Sequence, residues 1–197
     1  ELTPGAGQAV LALRPGDEAV VRTSFFPSSI SSRGFATVIP AGCAWDVGDE
    51  IDVVGPVGSA FNTPSRARRW LLASFEGPAD RLMPLLADGL GQGVELALIT
   101  PEPPPDLPAP VELNPAWAEA AAWADFLAWE LPSDAEPSAY LQDRLRETRV
   151  HGSVQALVTP PMPCGIGACS ACALRVRKGW ALACRDGTVW DSHDLLG

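Results

Sequence analysis

Short apolar runs closed by turn residues dominate the first third of the chain. They fall at positions 9–13, 19–22, 35–39 and 51–54, separated by Arg14-Pro15-Gly16-Asp17, Pro40-Ala41-Gly42 and Val47-Gly48-Asp49. Such regular, Gly/Pro/Asp-punctuated runs predict a small β barrel or sandwich over residues 1–64. From 65 to 149 the pattern alternates between strand and helix. Residues 69–75 are an apolar run long enough for a strand, 94–100 read as a second strand, and 78–88 carry Leu82, Leu85 and Leu86 at helical spacing. The proline-rich stretch 101–110 cannot be regular structure, because proline lacks the amide donor. Asn114-Pro115 predicts a helix start, with Asn as N-cap and Pro in the first turn, continuing to 123. A strand over 124–131 and a helix over 138–148, with Tyr140, Leu141 and Leu145 on one face, complete the segment. Strand–helix alternation predicts a parallel sheet. Residues 150–197 read as a third unit: a strand at 150–159, a cysteine-rich loop, a hairpin of 173–176 and 181–183 about Lys178-Gly179, and a strand at 188–190.

Composition narrows the function. At 197 residues and 47% hydrophobic, the chain can bury more than one core. Its net charge of −10 argues against nucleic-acid binding, which needs a basic footprint. No apolar run approaches membrane-spanning length, and none reads as a signal peptide, so the expectation is a cytoplasmic protein with no membrane partner.

The chemistry is concentrated near the C-terminus. Cys164, Cys169, Cys172 and Cys184 follow the spacing C-x4-C-x2-C-x11-C. The first three match the plant-type spacing of a [2Fe–2S] cluster, whose fourth thiolate comes from further along the chain. Gly165 and Gly167 suit a loop in which backbone N–H groups must approach cluster sulfurs. A structural zinc site on the same four thiolates stays open, although zinc more often takes two C-x2-C knuckles and only Cys169 and Cys172 form one here. A disulfide framework suits short secreted chains instead. Cys43 reads as an ordinary core or loop thiol. His151 and His193 read as surface or packing residues, and no Ser/His/Asp or paired-carboxylate constellation emerges.

Two stretches carry a family resemblance. Cys164-Gly165-Ile166-Gly167-Ala168-Cys169 through Cys172, with Ala183-Cys184-Arg185-Asp186-Gly187-Thr188-Val189-Trp190-Asp191, looks like a CGxGxCxxC and CxDGPVF pair. Gly48-Asp49-Glu50-Ile51-Asp52-Val53-Val54-Gly55-Pro56-Val57-Gly58, then Phe61, looks like a GDxxxVxGPLGxxF segment. With these motifs in this order, the chain resembles the electron-transfer subunit of the dihydroorotate dehydrogenase B type, within the ferredoxin–NAD(P) reductase superfamily. The resemblance implies a β barrel plus α/β fold (ferredoxin reductase-like) with a small C-terminal [2Fe–2S] domain. It divides the chain into a flavin-type barrel (1–64), an α/β nucleotide-binding-like domain (65–149) and an iron–sulfur cluster domain (150–197). It also implies a redox partner protein, an FMN-containing dihydroorotate dehydrogenase-like catalytic subunit, with this chain's cluster linking FMN to FAD.

The cofactor motifs depart from the family. Phe26-Pro27-Ser28-Ser29-Ile30 stands where members carry an R-P-x-S-I type flavin motif, so the arginine expected to meet the pyrophosphate is Phe26. Ser28, Ser29 and Gly55 remain as flavin-contact candidates, and FAD stays open. In the glycine-rich turn after the first α/β strand only Gly77 is kept, Glu76 and Asp80 bring negative charge, and Trp129-Glu130-Leu131-Pro132 replaces a C-G-P segment. NAD is therefore not expected. The function predicted is an electron-transfer subunit with no catalytic residues of its own. The alternative is a non-catalytic structural or regulatory module with a four-cysteine zinc or cluster site. The seven tryptophans read mainly as packing, with Trp180 and Trp190 placed to shield the cluster.

Overall fold

The computed structural model describes residues 3–16, 21–40, 43, 45–134, 136–146, 148 and 150–196. The first segment supplies β1 (Ala9–Leu13), β2 (Thr23–Phe25), β3 (Pro27–Ser31), β4 (Gly34–Thr37) and β5 (Asp52–Val57). β1 is the centre of an antiparallel sheet ordered β2-β1-β5, and β3 and β4 form a separate hairpin. The alternation of β1 explains its position between two cores. Val10 and Ala12 pack with Phe25 on one side, while Ala9 and Leu11 join the main core on the other. Residues 19 and 20 of the run at 19–22 lie outside the described residues, and Val21 and Arg22 are in no strand.

The remainder builds around one larger sheet. In chain order it supplies β6 (Arg69–Ser74), a 3-10 turn (Asp80–Leu82), α1 (Met83–Gln92), β7 (Glu95–Ile99), β8 (Val111–Leu113), α2 (Trp117–Trp123), β9 (Phe126–Glu130) and α3 (Pro137–Leu145). β10 (Ser153–Leu157), β11 (Ala173–Val176), β12 (Gly179–Leu182), α4 (Ala183–Asp186), β13 (Val189–Asp191) and α5 (Ser192–Leu195) follow. The sheet order is β13-β10-β9-β6-β7-β8. Every pairing is parallel except β10 with the edge strand β13. β10 and β13, both from the cysteine-bearing segment at the end of the sequence, thus complete the sheet begun by β6.

β6 and β9 are covered on both faces, which is why they read as unbroken apolar runs. Leu71, Ala73, Leu127 and Trp129 face one core, and Trp70, Leu72, Phe126 and Ala128 face the other. Burying each such leucine contributes about 1.5–3 kcal/mol. An aromatic cluster fills the first core, with Trp117 at 5.2 Å from Trp129 and 5.3 Å from Phe75.

The start of α2 differs from the expectation. Its N-cap is Ala116, and Asn114 sits outside it at φ 50°. The Asn114 side chain instead accepts the Thr100 N–H at 2.9 Å, and its own N–H donates to Leu98 O at 2.8 Å. Asn tolerates the left-handed conformation, and here it fastens the end of β8 to β7 rather than a helix.

Candidate metal centre

The cysteine loop is shaped by left-handed backbone. Gly165 and Gly167 have φ 68° and 77°. A Cβ on Gly165 would lie 2.5 Å from Leu11 Cδ1, so the loop lies against β1 at a distance that only glycine allows. Backbone N–H groups of Ile166, Cys169 and Ala168 point at the Cys164 sulfur, and that of Gly167 at the Cys184 sulfur. The N–H donors of Ile166 and Cys169 are the main cause of a Cys164 thiol pulled down to about 6. Burial, then the neighbouring Cys172 thiol, pushes Cys184 up to about 11.

The four thiols fall into two pairs. Cys164 and Cys169 approach to 3.3 Å between sulfurs, and so do Cys172 and Cys184. The second pair is buried, whereas Cys169 is exposed and Cys164 half-buried. Among the described residues no group of three or more His, Cys, Asp or Glu side chains is gathered around a single-ion site. His151 and His193 are exposed. Cys184 is in α4, directly after β12. The Asp186 carboxylate accepts the Leu182 N–H at 2.8 Å and starts that turn. Neighbouring segments anchor the site: Ala183 N–H donates to Cys172 O at 3.1 Å, and Gly58 N–H, just after β5, donates to Cys184 O at 3.3 Å. The fully buried Thr188 locks the same junction, donating to Gly7 O at 2.6 Å and accepting from Ser59 N–H at 3.2 Å.

Trp180 does not lie over the thiols as a shield. It is 76% exposed on the outer face of the β11–β12 ribbon, because its cross-strand partner is Arg175 while Leu174 and Ala181 take the buried face. Trp190 is half-buried against the main core, its Nε1–H donating to Gly187 O at 2.7 Å.

The flavin candidates are divided between sheets. Ser28 is half-buried and Ser29 exposed on β3, which pairs with β4, while Gly55 is on β5, which pairs with β1. Gly55 has a packing reason to be glycine: at φ 146°, its Cβ would lie 3.2 Å from Ala9 O and Val10 Cα. Phe26 is buried, and the Arg81 guanidinium lies 5.6 Å over its ring. Arg81 also pairs with Glu130, whose side chain is 7% exposed at the end of β9. Burial raises the Glu130 pKa and Arg81 partly offsets it. Arg81 and Glu130 line a cavity of about 330 Å³ together with Glu76, Gly77 and Asp134. Three carboxylates against one arginine make it a poor seat for phosphate.

These features define a class, a ferredoxin reductase-like fold with a four-cysteine C-terminal segment, and the comparisons agree with it. Residues 160–196, which contain all four cysteines, match the family model described as the iron–sulfur cluster binding domain of dihydroorotate dehydrogenase B. Among solved structures the chain is similar to the NADH-dependent reduced ferredoxin–NADP oxidoreductase, described for flavin-based electron bifurcation. Identity is 17%, TM-score 0.73, and the match covers 97% of this chain and 79% of that one. At that identity the likeness concerns the fold. No curated protein matches the chain. The resemblance to the dihydroorotate dehydrogenase B electron-transfer subunit, read from the motifs, is thus supported by the C-terminal domain and by the fold.

Proposed function

We propose that the chain is an electron-transfer subunit holding a [2Fe–2S] cluster on Cys164, Cys169, Cys172 and Cys184. The observation that carries this reading is the two-and-two grouping of the sulfurs. A rhomb of two irons and two bridging sulfides needs a pair of thiolates at each end, whereas a lone tetrahedral zinc needs four converging on one point. The N–H groups of Ile166, Ala168, Cys169 and Gly167 stabilise negative charge on the sulfurs, the hydrogen bonding that tunes such sites. When bound, the cluster takes up and returns one electron at a time. The protein's part is to hold the thiolates, cover the inner pair and present the outer pair.

In this reading residues 1–64 form a flavin-type barrel, of which the described residues give one sheet and one hairpin. Residues 65–149 form the nucleotide-binding-like domain and 150–197 the cluster domain. Ser28, Ser29 and Gly55 are the flavin contacts if FAD binds, and the acidic cavity at Glu130 argues against NAD. The partner is a redox protein, an FMN-containing dihydroorotate dehydrogenase-like catalytic subunit, and the compartment is the cytoplasm, where thiols stay reduced. Consistent with this, no helix among the described residues is long and apolar enough to cross a membrane.

Anaerobically purified protein is expected to be coloured and to contain iron and acid-labile sulfide in equal amounts, two of each per chain. A colourless protein with one zinc per chain would overturn the proposal in favour of a structural module. Heat denaturation of the same sample tests the flavin, through released FAD fluorescence.

A further inference from the structure

The chain is strongly acidic, yet residues 160–185 contain Arg175, Arg177, Lys178 and Arg185 and not one Asp or Glu. The basic groups lie on β11, on the turn that joins it to β12, and on α4, the ribbon beginning just after Cys172 and leading into Cys184. Two of them are neutralised locally: Arg185 pairs with Asp186 at 2.9 Å, and Arg177 reaches Asp194 at 3.9 Å. Arg175 and Lys178 are exposed and enter no ion pair among the described residues.

The ribbon's outer face is also apolar. Arg175 stands directly across from Trp180, and Ala173 across from Leu182. Leu182 reaches the cysteine loop, since a Cβ on Gly167 would lie 3.2 Å from its Cδ1. Beyond Gly167 the loop exposes Ile166, 72% accessible, and Cys169. One continuous surface therefore runs from the Lys178 turn through Trp180 and Leu182 to the outer thiol pair. An indole and an isoleucine left in water beside unpaired cations form the core and rim of an interface, in which large aromatic side chains supply most of the binding energy.

We propose that this face docks a redox protein whose own docking surface is acidic and has an apolar recess for Trp180. The proposal rests on the electron-transfer reading, because docking there brings the partner against the exposed sulfurs. Charge complementarity sets the partner's sign: the rest of this chain repels an acidic protein, so approach is favourable only through the basic face, and that fixes orientation as well as encounter. The neighbouring groove of about 780 Å³ beside β11 borders this surface and shares Ala173, Arg175 and Trp180 with it. Asp134 and Glu136 form its far wall, and Glu136 is occupied in accepting the Ala139 N–H at 2.7 Å.

The test is binding of the full chain, by calorimetry, to an acidic plant-type ferredoxin as probe, with basic cytochrome c as the opposite charge. The ferredoxin is expected to bind at low salt and to weaken about tenfold or more as salt is raised to a few hundred millimolar. R175E/K178E and, separately, W180A are each expected to weaken it about tenfold or more. Both alter exposed side chains, and circular dichroism checks that the fold is kept. Absence of ferredoxin binding at low salt, insensitivity to salt, or affinity unchanged in both variants overturns the proposal, as does a preference for cytochrome c that the substitutions leave intact. Cluster content of the same samples separates the two readings. A colourless protein that still docks as described defeats the electron-transfer reading alone, and a loaded protein that does not dock defeats this one alone.

Discussion

At the scale of single residues, Gly165 and Glu130 carry sharp consequences. An alanine at 165 must take a left-handed conformation, at a cost of roughly 1–2 kcal/mol, and must displace Leu11 from a 2.5 Å contact. G165A is therefore expected to lower bound iron per chain while leaving far-ultraviolet circular dichroism unchanged. Glu130 depends on Arg81 as its counter-charge. Arg81 is 44% exposed, which weakens the pair, so R81A is expected to cost about 1–3 kcal/mol at pH 7. The sign of its pH dependence follows from the raised Glu130 pKa. Between the raised pKa and the unfolded value of 4.5 the folded protein holds an extra proton relative to the unfolded chain, so the buried charge is removed and the deficit shrinks. Melting temperatures of wild type and R81A should converge as pH falls from 7 towards 5. At this scale the gathering of the four cysteines was legible from their spacing. Their pairing was not, since spacing does not say which sulfurs face each other. Nor was the exposure of Trp180, which follows from its register with Arg175.

At the scale of elements, the fully buried strands were the legible ones. β6 and β9 are dominated by apolar residues because both faces are covered. β8 follows the proline-rich stretch with only three residues, and α4 and α5 have four each, too short to show a period. The joint between β6 and β9 depends on Asp125. Its Oδ2 accepts the N–H groups of Arg68 and Arg69 at 3.0 and 3.2 Å, and its Oδ1 accepts Arg69 Nη2 at 2.6 Å. The Arg69 side chain first, then these N–H donors, hold the Asp125 pKa down to about 2. A depressed carboxylate pKa stabilises the fold above the unfolded value near 4, and the contribution is lost as pH falls through the folded one. D125N should therefore melt below wild type at pH 7, with the difference closing between about pH 4 and 2. Thermal scans across that range check it.

At the scale of the whole molecule, the order of the chain, β segment, α/β segment and cysteine segment, was visible from composition and turns alone. How the segments join was not, because the joints combine a shared apolar core and strand pairing with polar contacts between residues far apart in sequence. Asn62 N–H donates to Gln155 Oε1 at 2.9 Å and Gln155 Nε2 donates to Asn62 O at 2.7 Å. Thr188 ties the Gly7 and Ser59 backbones together one turn from Cys184. T188V keeps the shape and removes the hydroxyl, leaving buried backbone groups unpaired. It is expected to cost about 1–3 kcal/mol and to speed loss of iron to a chelator, followed by the decay of visible absorbance.

The position of β10 and β13 in the large sheet has a consequence for how this chain can be rearranged. The cysteine segment is not a cassette that can be lent to another protein. Cut at its first residue, it takes with it the strand that covers β9, and the piece left behind ends in a raw hydrogen-bonding edge of the kind that recruits other chains. Cut later, at the start of the span that matches the iron–sulfur domain, it keeps β13 and loses the strand β13 pairs with. Transplanting this centre means transplanting the sheet.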